Sequence, residues 1–350
     1  MSNTHIWKTA GIIRETPETI TIIFDTGGVP FIYKPGQFIQ LTLSIEGVPV
    51  TRSYSLSSSP DEAENPAITV KKVAGGIMSN FIVNEVAHIR QWKVEGPYGS
   101  FTPAADIFEK TKHVVLLAGG SGITPLFSIA RSIISRSADM QVTIIYASRS
   151  HEEIIFRQSI ADWQQRHSDR LNIHHALSAP DNTTSGTFIN GRLNKLITRK
   201  LIKQGMTAPH QDAHYFLCGP VGLMKMHQEM LEAWQVPAGN VFMEWFLPEK
   251  TETPDALSLQ AQEVLLHFYE QSNLLEVPAG KSILAAALED RISLPYSCKA
   301  GTCGICAAKL TAGKVNMLQN YALQKTDLDE GMILLCQSYP LSNDVTVEIG

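Results

Sequence analysis

The 350-residue chain has no long apolar run, no block of basic charge, no internal repeat and only five cysteines. Each absence excludes something. The longest apolar stretches, such as Val114–Ala118 and Ile283–Leu288, fall far short of the roughly 20 residues a membrane-spanning helix needs. The opening residues MSNTHIWKTAG lack a charged segment followed by an apolar one, so a secretory leader is not expected. A net charge of −5 without a basic cluster argues against a nucleic-acid partner. With no low-complexity tract, 44% hydrophobic and 18% charged residues, the composition is that of ordinary globular material. At roughly 100–200 residues per domain, two or three domains are expected. Cys218 has no sequence-adjacent cysteine and a disulfide framework is not indicated, and free thiols suit a reducing compartment. A soluble, cytoplasmic protein without membrane insertion is the expectation.

Four of those cysteines are concentrated in one region. Cys298, Cys303 and Cys306 are spaced C-x4-C-x2-C, and Cys336 follows 30 positions after Cys306. This is the plant-type [2Fe–2S] ligand spacing, in which four thiolates hold two irons. Gly301 and Gly304 lie inside the loop, where a sharp bend and a close approach of backbone amides to sulfur are needed. The competing assignment is a four-cysteine zinc site. Zinc sites usually pair their ligands as two C-x2-C knuckles, and here there is one.

Three regions differ in texture. Residues 1–108 are strand-rich: Ile20–Phe24, Phe38–Leu43, Arg52–Leu56 and Ile68–Val73 are separated by Gly and Pro punctuation, which predicts a small antiparallel β-barrel. One helix is expected over Met78–Val83. Residues 109–247 alternate strands with helices, which predicts an α/β doubly wound parallel sheet. Its expected strands are Val114–Ala118, Val142–Ala147, Leu171–Leu177, His214–Cys218 and Val241–Glu244. Its expected helices begin near Pro125 and over Ile154–Trp163. The polar stretch 248–262, with two prolines, reads as a linker. Residues 263–350 open with a hairpin, Glu263–Tyr269 with Asn273–Pro278, then a helix over Ser282–Asp290 capped by Ser282.

Several short motifs carry chemistry. In Arg52-Ser53-Tyr54-Ser55, strand alternation puts Arg52 and Tyr54 on one face and Ser53 and Ser55 on the other. A cation, a flat ring and hydroxyls together suit a flavin nucleotide; a surface arginine beside a core tyrosine is the plainer alternative. Gly75-Gly76-Ile77-Met78-Ser79 places paired glycines before a helix, forming either a pyrophosphate nest or a tight hairpin turn. Gly119-Gly120-Ser121-Gly122-Ile123-Thr124-Pro125 follows the strand Val114–Ala118. Its glycines permit close backbone approach, with Thr124 as the expected helix cap and Pro125 at the first helical position. It lacks the third glycine of the G-x-G-x-x-G fingerprint. Cys218-Gly219-Pro220 ends another strand, where ligands of open α/β sheets bind, although a buried small residue is the commoner fate of a free cysteine.

Taken in order, R-S-Y-S at 52–55, G-G-I-M-S at 75–79, G-P-Y-G at 96–99, G-G-S-G-I-T-P at 119–125, C-G-P at 218–220 and E-W-F at 244–246 resemble the ferredoxin–NAD(P)H reductase superfamily. With the cysteine loop appended, nearly the whole chain is similar to three-domain oxygenase reductases ending in an α+β β-grasp ferredoxin domain. The resemblance implies that Arg52, Ser53, Tyr54 and Ser55 bind FAD, and that Gly75, Gly76, Met78 and Ser79 hold its pyrophosphate. It implies that Gly120, Gly122 and Thr124 meet the nicotinamide nucleotide. Cys218 and Gly219 would then lie near the nicotinamide, with Phe246 covering the flavin. Ser55, Cys218 and Phe246 become the candidate catalytic residues, and Cys298, Cys303, Cys306 and Cys336 the cluster ligands. Ser148 and Arg149 sit where the coenzyme's 2′-position is read, and Arg suits a phosphate, so NADPH is favoured over NADH. Glu152 and Glu153 follow closely and leave that choice open. The implied activity passes electrons from NAD(P)H through FAD and a [2Fe–2S] cluster to an oxygenase, hydroxylase or desaturase component. The alternatives are a stand-alone flavin diaphorase, a redox sensor and a zinc-bearing module.

Overall fold

The structure is a computed structural model that describes residues 4–62, 64–179, 188–206, 208–246, 260–268, 271–323 and 325–350. It divides into two compact units, Met1–Phe246 and Leu247–Gly350.

The first unit begins with six antiparallel strands: β1 (Thr4–Thr16), β2 (Thr19–Asp25), β3 (Phe38–Ile45), β4 (Val48–Ser55), β5 (Ala67–Lys71) and β6 (Trp92–Tyr98). Their order is β4-β3-β6-β1-β2-β5, and a bridge between Leu56 and Ile68 joins the two edges into a barrel. β1 is long enough to serve two neighbours. Thr4–Trp7 pair with β6, and Lys8–Thr16 pair with β2 across an irregularity between Thr9 and Gly11. The β3–β4 hairpin turns on Glu46 (φ 52°) and Gly47 (φ 80°), the double positive φ of a tight two-residue loop. Alternate residues, Ile20, Ile22 and Phe24 on β2 and Ile39 and Leu41 on β3, fill the core with Trp7 and Trp92. Helix α1 (Ile77–Glu85) packs Met78, Ile82 and Val83 against it.

The second half of this unit is a parallel sheet of β7 (His113–Gly119), β8 (Gln141–Ser148), β9 (Leu171–Leu177), β10 (Ile189–Asn190), β11 (His214–Cys218) and β12 (Val241–Glu244), in the order β10-β9-β8-β7-β11-β12. Helices α2 (Ile107–Lys110), α3 (Ile123–Arg136), α4 (Arg157–Arg166), α5 (Lys195–Gln204) and α6 (Val221–Ala233) lie between the strands. The chain runs outward from β7 to β10, then returns to β11 on the other side of β7. The β7/β11 border is therefore the topological switch point, where such sheets bind ligands.

Two helix starts differ from expectation. α3 begins at Ile123, because Gly120–Gly122 is already a 3₁₀ turn. Gly122 is its cap and Pro125 its third residue, while the Thr124 hydroxyl donates back to the Ser121 carbonyl at 3.0 Å. α4 begins at Arg157 rather than Ile154, after a left-handed Phe156 (φ 59°) whose N–H donates to Glu15 of β1. A contact from the barrel sets that boundary.

The second unit contains β13 (Gln262–Phe268), β14 (Gln271–Val277), β15 (Ala307–Ala312), β16 (Val315–Met317), β17 (Met332–Leu334), β18 (Ser338–Pro340) and β19 (Val345–Ile349). Five form a mixed sheet ordered β14-β13-β19-β15-β17 with a parallel β13/β19 centre, and β16 pairs with β18. Helix α7 (Ile283–Glu289) buries Ile283, Leu284, Ala286 and Ala287 in this unit's core, and Ser282 caps it by accepting from the Ala285 N–H at 3.3 Å. A short α8 (Lys325–Asp329) precedes β17. This is the expected β-grasp arrangement. The expected linker lies mostly outside the described residues, and Gln262 already opens β13.

Candidate functional site

At the switch point two glycine-bearing loops touch. Ala118 and Cys218 are register partners in β7 and β11. A Cβ on Gly122 would sit 2.2 Å from the Cys218 carbonyl oxygen, one on Gly119 2.6 Å from Pro220 Cδ, and one on Gly219 2.9 Å from the Gly119 nitrogen. Glycine is required here by loop against loop. Gly120 differs: it has φ 52°, and a Cβ there would meet nothing within 4 Å, so its face of the loop is open. Tyr146, buried in β8, fixes the turn by donating its hydroxyl to the Gly120 carbonyl at 3.1 Å.

Three side chains converge beside these loops. Cys218 is in register with Glu244 across β11 and β12. The Ser55 hydroxyl, at the end of barrel strand β4, donates to Glu244 Oε2 at 3.2 Å, a contact across 189 positions. Burial pushes the Glu244 carboxyl up to about 8, although the Ser55 hydrogen bond acts the other way. Burial, and then the Glu244 charge, raise the Cys218 thiol well above its ordinary value. At neutral pH the group therefore holds a protonated acid, a thiol and a hydroxyl. The role of Glu244 was missed from sequence. Its signal was an acidic residue in E-W-F closing the last strand of an α/β sheet.

This acid carries a stability prediction. Its folded value exceeds the unfolded one, so between about pH 4.5 and 8 the unfolded chain releases a proton that the native state keeps, and stability falls as pH rises. Glu244→Gln is expected to raise stability near pH 8 by on the order of 2–4 kcal/mol and to remove an ionisation near pH 8 from the rate profile. Thermal melts and rates from pH 6 to 9 test this; an unchanged profile would rule Glu244 out as the titrating group.

On the barrel side, Tyr54 packs against the core, and burial raises its phenol above the ordinary range. Arg52 is exposed, with Nη1 donating to the Thr51 carbonyl at 2.7 Å. Ser53 is half-buried and Ser55 buried. Gly76 caps α1 without any side-chain hydrogen bond. Gly75 has φ 70° and open space where a side chain would be. Met78 is a core residue, so only its backbone can meet a ligand. The Ser79 hydroxyl accepts from the Val73 N–H at 3.2 Å and so shapes the turn.

Ser148 is buried at the end of β8, and Arg149 is exposed just beyond it. Phe246 is half-buried against the parallel-sheet core.

In the second unit, Cys306 and Cys336 are buried in the core, while Cys298 and Cys303 are partly exposed. Lys299 (φ 55°), Gly301 (φ 74°) and Gly304 (φ 74°) bend the loop. The bend aims the Ala300 and Thr302 N–H groups at Cys298 Sγ, at 3.4 and 3.3 Å. Hydrogen bonding from Cys303, and then from Cys336, pulls the Cys298 thiol down, and Cys336 does the same to Cys306. Among the described residues no three His, Cys, Asp or Glu side chains close on one metal-ion position. The four sulfurs form one interacting group, Cys303 with Cys298, Cys298 with Cys336 and Cys336 with Cys306, so the four thiols lie together.

A barrel, a parallel sheet with glycine loops at its switch point and a β-grasp unit with a three-cysteine loop completed by Cys336 define a flavin- and nicotinamide-dependent iron–sulfur oxidoreductase. Residues 19–102 match the oxidoreductase FAD-binding domain, 116–229 the oxidoreductase NAD-binding domain and 268–341 the 2Fe-2S iron-sulfur cluster binding domain. The chain is 33% identical to the ferredoxin reductase component of 3-ketosteroid-9-alpha-monooxygenase from Mycobacterium tuberculosis, over 97% of this chain and 94% of that one. It is 30% identical to the reductase subunit of glycine betaine monooxygenase from Pseudomonas aeruginosa, over 98% and 95% of the two chains. The fold of phthalate dioxygenase reductase superposes with a TM-score of 0.62 at 22% identity, over 99% and 98% of the two chains. The chain belongs to the family of oxygenase reductase components built from FAD-binding, NAD-binding and 2Fe-2S domains.

Proposed function

We propose that this reductase draws electrons from NADPH and delivers them singly to an oxygenase, hydroxylase or desaturase component in the cytoplasm. When bound, FAD supplies the conversion between a two-electron donor and a one-electron acceptor. The observation that carries the reading is the meeting of Ser55, Cys218 and Glu244 where barrel strand and switch point join, in a chain that also bears the four cysteines Cys298, Cys303, Cys306 and Cys336. In this reading residues 1–108 form the FAD-binding barrel, 109–247 the NAD(P)-binding domain and 263–350 the ferredoxin domain.

Arg52 offers a cation to the FAD pyrophosphate, and Tyr54 and the Ser53 and Ser55 hydroxyls line the rest of the flavin nucleotide. Gly75 and Gly76 open the first amides of α1, with Met78 and Ser79, to phosphate. Gly120, Gly122 and Thr124 shape the coenzyme loop, and Cys218 and Gly219 form its far wall. Ser55 and the neutral Glu244 form a hydrogen-bonded pair beside Cys218, and Phe246 would cover the flavin face. Cys298, Cys303, Cys306 and Cys336 would hold the cluster, and the Ala300 and Thr302 amides stabilise negative charge on the Cys298 thiolate.

The test is anaerobic reduction of the purified protein by NADPH and by NADH, followed by cytochrome c reduction. A protein bleached faster by NADH contradicts the coenzyme assignment. Arg149→Ala is expected to raise KM for NADPH about tenfold or more and to change that for NADH less than about twofold, since one phosphate contact is lost. Equal effects on both coenzymes remove Arg149 from 2′-phosphate recognition.

A further inference from the structure

Helix α3 carries a polar stripe that its place in the core does not explain. Ser128, Arg131, Ser132 and Ser135 recur at i, i+3, i+4 and i+7, on one face of a helix otherwise lined by Leu126, Phe127, Ile129, Ala130 and Ile133. Ser128 and Ser132 are 0% and 1% exposed, so water does not satisfy them. The barrel does, through the segment after β4. The Ser128 hydroxyl donates to the Ser58 carbonyl at 2.6 Å, Ser132 to the Asp61 carboxylate, and Ser135 to the Asp61 carbonyl at 3.5 Å. Arg131 donates from Nε to Glu62 at 3.1 Å and reaches Glu64 at 2.9 Å, while its guanidinium stacks over Phe127. The Ser58 hydroxyl in turn pairs with Tyr33 at 2.7 Å and accepts the Ala67 N–H, so the receiving segment is itself fixed.

The two ends of this connection matter. Ser58 is three residues beyond Ser55, and Ala67 opens β5, which leads to Gly75 and Gly76. Ser128 is six residues beyond Gly122. A rigid 14-residue helix, about 21 Å long, thus joins the coenzyme loop to the segment linking the two FAD-side motifs. We propose that Arg131, held by Glu62 and Glu64, is a positioning residue for hydride transfer: α3 is a strut that sets the distance between the coenzyme loop and the flavin strand. The proposal adds no bond-making step. It rests on the assignment of Gly119–Gly122 and Arg52–Ser55 given above.

The experiment is anaerobic stopped-flow reduction of the FAD-loaded full chain by NADPH, using Arg131→Met, Arg131→Lys and the pair Glu62→Gln with Glu64→Gln. Small displacements at a reacting centre can cost about 100-fold. Arg131→Met is accordingly expected to lower the limiting rate at least about tenfold, with coenzyme dissociation constant and FAD content within about twofold of the parent. The primary isotope effect, with coenzyme deuterated at the transferred position, should rise as hydride transfer becomes the slow step. Arg131→Lys should recover part of the rate, and the paired glutamine variant should repeat the loss from the barrel side, including where Arg131→Met does not fold. A limiting rate and isotope effect equal to the parent's in any of the non-conservative variants that fold overturns the strut. So does a loss confined to FAD content or coenzyme affinity. A parent that NADPH does not reduce overturns instead the site assignment beneath it.

Discussion

Cys303→Ser is expected to purify with flavin but without the iron-dependent colour, with reduction of cytochrome c by NADPH lowered on the order of 100-fold. Reduction of ferricyanide should stay within about twofold, because electrons can leave the flavin-bearing unit directly. The separation follows from the fold. Met1–Phe246 and Leu247–Gly350 are separate compact units with their own cores, so a lost thiolate in the second leaves Ser55, Cys218 and Glu244 untouched. Cys303 is the sharper choice over Cys306 or Cys336. Those two are buried in the β-grasp core, where serine adds an unsatisfied hydroxyl and destabilises the unit as well. Iron and sulfide analysis with the two acceptor assays decides it: iron retained at the parental level would remove Cys303 from the ligand set.

The second large effect is expected at Gly122. Its φ of −62° is one that alanine tolerates, so strain in the backbone is not the issue. The issue is space: the added methyl would lie 2.2 Å from the Cys218 oxygen, 2.4 Å from its carbonyl carbon and 2.7 Å from the Gly219 nitrogen. These are backbone atoms of the neighbouring strand end, which cannot rotate away as a flexible side chain could. The two loops must part, and both line the coenzyme site proposed above. Overpacking of this kind costs about 1–3 kcal/mol or more, and the displaced loop should lower kcat/KM for NADPH about 100-fold. Gly120→Ala is the contrasting case. There the methyl meets open space and only the left-handed φ of 52° is penalised, about 1–2 kcal/mol. If Gly122→Ala matches Gly120→Ala in stability and rate, the close packing of the two loops is not what the site needs.

Much of this architecture was legible in the sequence because it is encoded at short range. Period-two apolar patterns located β2, β3 and β5, and continuous apolar runs located β7 and β11. Ser282 announced the start of α7 as a side-chain cap. Thr124 failed as a cap for a local reason that composition hides: three residues with two glycines had already turned into 3₁₀ geometry, so the helix needed no hydroxyl to begin. The start of α4 failed for a tertiary one. Glu15, 141 positions away, accepts the Phe156 N–H, and Phe156 stacks on Phe127 of α3.

The sequence by itself determined the cysteine spacing, the alternation of elements and the glycine positions, all properties of residues within one turn or loop of each other. That was sufficient to identify a barrel, a parallel sheet and an iron–sulfur module. Only the tertiary structure decided that Glu244 joins Ser55 and Cys218, and that the polar stripe of α3 is a seam rather than a solvated face. The reason is physical. The register of β11 between β7 and β12 brings Cys218 and Glu244 together, and packing of the barrel against α3 brings in Ser55 and satisfies Ser128, Arg131 and Ser132. Burial then raises the Glu244 carboxyl to about 8, a property that no sequence motif specifies.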